Sequence, residues 1–345
     1  MKVLIVGAGA VGQVYGKLLH DGGAEVTFLV KEKYAADLRA ATSKGAQPGL
    51  VFYPRRTGHP GGALKALRWA GFKVATEVAP VASGPASDSV YDVVMLAVSS
   101  TALYSGGGQW VDQLLAALGG ATLVMLQPGL EDRAYLLGKL GAARASQLVE
   151  GSINVVAYHA PMQAHGSRPA EKHPEPGMAY WFPPGKMLFS GERARLERIF
   201  AVFRAGGLAV AESPDLQKEN AVGQPALTVL VCALEASGWS FDALMAGPNL
   251  GLASMATQEA IEVFAALRKM PPPPAPVRFI TTRPAFFRTL LRGSKYIVPF
   301  DFENYLHAHF TKVREQMHQA LRDFIRHGQK LGIETGSIQK LLGKL

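Results

Sequence analysis

The 345-residue chain contains a single cysteine, Cys232, few charged residues (18%), and no apolar run longer than residues 226–234, itself interrupted by Thr228. One cysteine cannot build a disulfide framework, so a small secreted scaffold is excluded. The apolar run ends at Glu235 and is too short to cross a bilayer. The first residues carry one lysine and an apolar stretch broken by Gly7, Gly9, Gly12 and Gly16, with no small-residue cleavage site. No signal peptide is expected from that pattern, and a cytoplasmic location is. A hydrophobic share of 48% with low charge density is not the composition of a disordered chain. The length exceeds what one compact core usually holds, which points to two domains.

The charge balance is what the chain has in excess: 36 basic against 27 acidic residues, net +9. From residue 271 onward there are twelve Lys/Arg and five Asp/Glu, so +7 of the excess lies in the last 75 residues. Arg278, Arg283, Arg288 and Arg292 are spaced singly, without a polybasic cluster or a recognisable nucleic-acid module. Neither nucleic acid nor a membrane is expected as a partner; a small anionic substrate is.

Residues 2–6 form a short apolar strand, followed directly by Gly7-Ala-Gly9-Ala10-Val11-Gly12 and a helical pattern up to Gly22-Gly23; a second strand spans 25–30. A strand, glycine turn, helix and strand within about thirty residues is the context of a dinucleotide-binding unit. Gly7 permits the tight turn, Gly9 lets the backbone approach a pyrophosphate, and Gly12 lets the helix pack closely on the strand. The helix N-terminus then offers free N–H groups to phosphate. A chain that prefers NAD carries an acidic residue at the end of the second strand, but here Lys31 and Lys33 follow, with Glu32 between them. A cation there suits a 2′-phosphate, so NADP is the expected cofactor.

Residues 42–66, rich in Gly, Pro and Arg, are read as an inserted loop or short hairpin. Strands are expected at 73–78, 92–98 and 122–126, the last two apolar after their first residues Asp92 and Thr122, as in a parallel sheet buried on both faces. Ligands sit beyond the carboxyl ends of such strands, which places Val98, Ser99, Gln127 and Gly129 beside the nicotinamide half of the cofactor. His159, His165 and His173 lack metal-ligand spacing, and no metal is expected. Strand-like pieces at 153–158 and 178–182, a helix at 194–205 and a strand at 208–212 follow; Ser213-Pro214 reads as a helix N-cap with Pro in the first turn. The expected architecture is an α/β N-terminal Rossmann domain, 1–212, with a doubly wound, mostly parallel sheet, and an all-α C-terminal domain, 213–345. Helices are expected at 214–236, 240–246, 250–268 and, after the break at 271–274, 301–331. The last carries a buried stripe (Leu306, Phe310, Val313, Met317, Leu321, Phe324) flanked by a polar one (Tyr305, His309, Lys312, Gln316, Asp323).

These segments resemble the ketopantoate reductases (2-dehydropantoate 2-reductases), relatives of the 6-phosphogluconate dehydrogenase superfamily. The resemblance rests on residues 2–13, 25–31, 91–98 (Tyr-Asp-Val-Val-Met-Leu-Ala-Val), 126–131 (Leu-Gln-Pro-Gly-Leu-Glu) and the strand region 151–191; it weakens in the helical part. It implies NADPH-dependent reduction of a 2-keto acid between a Rossmann domain and a helical domain. The chain departs from the family at four places. Ser99 stands where a lysine is usual, and Pro128 where an asparagine is. Lys218 or Glu219 occupies the place of the general-acid lysine. Glu315 or Gln316 occupies that of a glutamate binding substrate hydroxyls.

Hydride transfer to a carbonyl or imine needs an acid or cation beside the oxygen or nitrogen that gains charge. Lys218 is the candidate acid, with Lys312 or His309 as substitutes and Gln316 as a substrate-binding group. Three readings follow. The first is an NADPH-dependent reductase of a small anionic 2-keto acid. The second is a specialised reductase or dehydrogenase of an imine or other metabolite, motivated by Ser99 and Pro128. The third is an NADP-binding protein without hydride chemistry. The apolar helices of the second domain make a homodimer plausible.

Overall fold

The computed structural model describes residues 1–42, 48–57, 65–77, 90–163 and 172–345. Contacts divide the chain into two compact units with the main break between Leu216 and Gln217; Thr57, Met162 and Gln163 group with the second.

The first unit contains twelve strands among the described residues: β1 Lys2–Val6, β2 Glu25–Leu29, β3 Leu50–Pro54, β4 Leu67–Trp69, β5 Phe72–Ala75, β6 Val93–Leu96, β7 Thr122–Met125, β8 Leu148–Gly151, β9 Val156–Ala160, β10 Gly177–Trp181, β11 Met187–Ser190 and β12 Val210–Glu212. Eight form one sheet in the order β12-β11-β8-β7-β6-β1-β2-β5. Every pair from β8 to β5 is parallel; β11 is antiparallel to β8 and parallel to β12. Alternate residues of the central strands point to opposite faces, and both faces are apolar. Val3, Ile5, Val93, Met95 and Val124 join one core, into which helices Ala10–Asp21 and Arg193–Ala205 send Val14, Tyr15, Leu196 and Phe203. Leu4, Val6, Val94, Leu96 and Leu123 join the other, covered by helices Gln109–Ala116 and Asp132–Leu140. This is the doubly wound α/β arrangement the sequence pattern predicts.

The remaining four strands form a second sheet, β4-β3-β10-β9, whose Phe52, Met178 and Tyr180 pack into the first core. Part of the stretch expected as an inserted loop or hairpin is therefore structural: β3 pairs antiparallel with β4 and parallel with β10. The reason is the buried Val51-Phe52-Tyr53 run, which a solvent loop would leave exposed. Residues 43–47 and 58–64 of that stretch, Val78 and His165 lie outside the described residues.

The second unit has helices and no strand among its described residues. Helix Asn249–Leu267 is its centre, burying Leu250, Ala253, Ala256, Ala260, Ile261 and Phe264 against helices Gly223–Glu235, Arg314–Leu331 and Gly336–Leu342. Two carboxylates on half-buried residues fix these helices. Glu235 pairs with Arg314 and with His318 Nε2 (2.9 Å), and Glu259 accepts from Ser337 N (2.9 and 3.0 Å) and Ile338 N (3.0 Å). No helix among the described residues is long and apolar enough to cross a membrane.

Two expected helices are broken. The 214–236 pattern splits into Leu216–Glu219 and Gly223–Glu235. Pro225 lacks an N–H and its ring would clash with the carbonyl of residue 221, so the helix restarts with proline in its first turn. The first segment opens two residues after the expected proline start, and Ser213 does not cap it; Ser213 Oγ is buried with no partner among the described residues. The 301–331 pattern splits into Phe302–Phe310 and Arg314–Leu331. The turn at 311–313 uses short-range bonds, Lys312 N to His309 O and Val313 N to Phe310 O (both 3.2 Å), at two β-branched residues that favour helix poorly. Helices Ala275–Thr281, Pro284–Ile297 and Gly336–Leu342 were not expected from the sequence.

Candidate functional site

The glycine turn is built as its spacing predicts. Gly7 adopts φ +96°, and a Cβ there would lie 2.9 Å from Ala97 O and from Val98 Cγ1. A Cβ on Gly12 would lie 2.5 Å from Gly7 O and 3.2 Å from Ala97 Cβ. A Cβ on Gly9 would meet nothing within 4 Å: the backbone there faces open space. Gly9 is the N-cap of helix Ala10–Asp21 and no side chain caps that end. The amides of Ala10, Val11 and Gly12 therefore belong to a helix start without an intramolecular side-chain acceptor, the arrangement that takes an anion. Gln13 is buried beside the turn; its Nε2 donates to Ala8 O (2.8 Å), while Oε1 has no partner among the described residues. An open backbone cradle and an unspent buried acceptor next to it both fit a bound dinucleotide.

Lys31 is exposed, two residues beyond the end of β2. Glu32, the nearest acid, begins the next helix, where Arg39 Nη1 donates to its Oε1 at 3.2 Å. Lys33 lies over the Tyr34 ring. Glu32 is thus drawn along its own helix, and Lys31 remains the group at the strand end.

The carboxyl ends of β6 and β7 form a single rim with the glycine turn. Val98 touches the space beside Gly7, and Gln127 Nε2 donates to Leu96 O (3.0 Å) and Val98 O (2.8 Å). Gln127, expected as a cofactor contact, spends its amide on holding the Val98 turn. Ser99 caps helix Ser100–Leu103 by accepting from Ala102 N (3.3 Å), and Pro128 is exposed.

The residue sequence reasoning missed is Asp132. It is buried and accepts from Ser100 Oγ (2.6 Å), Tyr104 OH (2.8 Å) and Gly129 N (2.8 Å), so one carboxylate locks the turn after β6 to the turn after β7. A Cβ on Gly129 would lie 2.4 Å from Asp132 Oδ2, which is why glycine stands there. The available signal was the acid three residues after Gly129, the spacing of a side chain bonding back to a turn amide.

In the helical unit, Lys218 and Glu219 are both exposed on helix Leu216–Glu219. Lys312 is exposed in the 311–313 turn and Gln316 is half-buried on helix Arg314–Leu331, so the expected polar stripe is divided by that turn. Glu315 is exposed and accepts from Arg322 Nη1 (2.7 Å), whose guanidinium holds the carboxyl below its usual range. His309 stacks on Tyr305 with centroids 5.2 Å apart. Burial, and after it the Lys312 charge, push the His309 pKa down to about 4. The ring is therefore neutral at pH 7 and cannot serve as the cation for a substrate carboxylate. His173, also singled out in the sequence, accepts from Arg55 Nη2 (3.2 Å) and packs on Tyr53.

Residues 3–153 match the family model of ketopantoate reductase PanE/ApbA. No curated protein matches the sequence. Among solved structures, the chain is similar to 2-dehydropantoate 2-reductase from Geobacter metallireducens GS-15, with 19% identity and TM-score 0.63 over 100% of this chain and 99% of that one. It is similar to a PanE/ApbA family ketopantoate reductase from Ralstonia eutropha JMP134, with 19% identity and TM-score 0.63 over 99% and 96%. D-mandelate dehydrogenase, solved with NADH and anilino(oxo)acetate, has 16% identity and TM-score 0.62 over 100% and 96%. At these identities the structures establish the fold, and the match to the ketopantoate reductase PanE/ApbA model covers residues 3–153, the part of the chain that carries the glycine turn.

Proposed function

We propose that the protein is an NADPH-dependent oxidoreductase that reduces a small anionic 2-keto acid. The observation that carries this reading is the glycine turn, with open backbone at Gly9 and the Lys31 cation at the end of β2. Its relatives by family and fold are oxidoreductases, and one was solved with NADH, so coenzyme choice rests on Lys31. The first-turn amides of helix Ala10–Asp21 bind the pyrophosphate, and Lys31 pairs with the 2′-phosphate. Val98 and the Asp132-locked turns border the nicotinamide, which when bound supplies the hydride. Lys218 donates the proton to the substrate oxygen, Lys312 attracts the carboxylate and Gln316 hydrogen-bonds the substrate.

A second reading has specific support. Ser99 is used as a helix cap and Pro128 offers no side-chain hydrogen bond, so neither turn presents the polar group usual in the family. That favours a substrate other than ketopantoate, such as an imine or another metabolite. The likeness to D-mandelate dehydrogenase adds aromatic 2-keto acids such as phenylglyoxylate to the candidates.

The test is coenzyme oxidation by the purified protein with ketopantoate, phenylglyoxylate and other 2-keto acids, comparing NADPH with NADH. Lys218→Ala is expected to lower kcat by roughly a hundredfold or more while NADPH still binds. Near-normal turnover would remove Lys218 from the mechanism, and Glu219→Gln would then be measured. Lys31→Glu is expected to raise KM for NADPH by roughly tenfold or more, with KM for NADH little changed. Equal effects on both coenzymes would place the 2′-phosphate elsewhere.

A further inference from the structure

The segment 263–300 contains seven basic residues and no acidic one. It includes helices Ala275–Thr281 and Pro284–Ile297, and exposed apolar side chains are concentrated in it. Of thirteen large hydrophobic residues exposed among the described ones, six lie here: Val277, Phe279, Ile280, Leu290, Tyr296 and Ile297, with Tyr296 at 74%. Helix Ala275–Thr281 buries none of its residues. Exposed apolar residues scattered singly need no explanation, but six within 21 positions mark a surface that something covers.

Helix Pro284–Ile297 shows how the surface is organised. Phe287, Leu291 and Ser294 form the buried row that seats it. Arg288, Arg292 and Lys295, spaced four and three apart, form a cationic row roughly a quarter turn to one side. Leu290 and Ile297, seven apart, lie roughly a quarter turn to the other side, and Tyr296 sits between the rows. Arg278 reaches Glu262 at 3.7 Å and Arg288 donates to Met245 O at 3.3 Å. Arg283, Arg292 and Lys295 have no carboxylate partner among the described residues; Arg283 lies 4.0 Å over the Phe279 ring and Lys295 5.0 Å over that of Tyr296.

We infer that helices Ala275–Thr281 and Pro284–Ile297 dock the protein on an anionic lipid surface. Charge complementarity selects this occupant. A second copy related by a twofold axis would set this acid-free basic segment against itself. A nucleic acid would satisfy the cations and gain nothing from Ile280, Leu290 and Ile297. A bilayer surface satisfies both, with cations at the phosphates and aliphatic and aromatic groups at the headgroup boundary. The expectation of no membrane partner rested on the single spacing of these basic residues as well as on the missing spanning segment; helix Pro284–Ile297 brings Arg288, Arg292 and Lys295 into one row, and binding at a surface needs no span.

The experiment is sedimentation of the full chain with vesicles of phosphatidylcholine alone or containing about 30% phosphatidylglycerol. Binding to the anionic vesicles is expected to exceed binding to neutral ones by about tenfold or more, and to fall at about 0.5 M salt. Ile280→Glu with Ile297→Glu, and separately Arg292→Glu with Lys295→Glu, are each expected to abolish it. All four positions are exposed, so melting temperature and NADPH oxidation in the two variants should match the parent, which separates lost docking from lost folding. No preference for anionic vesicles, or binding unchanged in both variants, overturns the inference. So does a dimer in light scattering that Ile280→Glu with Ile297→Glu dissociates, or retention on DNA or an acidic protein without vesicle binding.

Discussion

Replacing Gly9 by aspartate is expected to weaken NADPH binding by about a hundredfold or more, a loss of about 2.7 kcal/mol, without unfolding the protein. The new Cβ meets no atom within 4 Å, and the Gly9 backbone (φ −71°, ψ −179°) is one an L-residue adopts without strain. Aspartate is also a favoured N-cap, so the helix itself is not weakened. Its carboxylate would occupy the anion position and repel the pyrophosphate. Gly12→Val provides the contrast, because its Cβ would overlap Gly7 O at 2.5 Å and disrupt the helix–strand contact itself. Titration calorimetry with a parallel thermal melt separates the two: Gly9→Asp should lose binding and keep its melting temperature. Unchanged affinity in that variant would mean the glycine turn does not hold the dinucleotide.

Asp132→Ala is expected to carry the largest stability cost of any single change at the rim. The carboxylate is 1% exposed and accepts three hydrogen bonds, from Ser100, Tyr104 and the Gly129 amide. Removing it takes an acceptor from three donors, among them the hydroxyl of buried Ser100 and the Gly129 amide. The cost is about 3–5 kcal/mol, roughly a 10 °C fall in melting temperature for a unit of this size. Activity should fall further than stability explains, since both turns proposed to border the nicotinamide lose their common anchor. A melting shift of less than about 2 °C would show that the lock is not structural.

The parts of this site that were legible in the sequence are those set by local constraint. Gly7 and Gly12 answer demands of backbone angle and close approach, and Gly9 leaves the backbone open, so their spacing within one strand-turn-helix unit carries the geometry. The apolar runs of β6 and β7 likewise mark strands buried on both faces. Asp132 was not legible because its partners come together only through the fold: Ser100 is 32 residues away and reaches it because β6 and β7 are neighbours. The second sheet was hidden for the same reason, since β3 pairs with β10 across more than a hundred residues and no periodicity encodes a parallel partner. The breaks at 220–222 and 311–313 were obscured by apolar periodicity that continues across them. Pro225 marked the first, whereas the second shows only Thr311 and Val313.

The central claim is that the nucleotide cradle serves hydride transfer. Its most direct test is oxidation of NADPH by the purified protein on adding ketopantoate and a panel of other small 2-keto acids, with NADH alongside. The account predicts turnover of at least one of these acids with NADPH, faster than with NADH by about tenfold or more. NADPH that binds tightly but is not oxidised with any of them would contradict it.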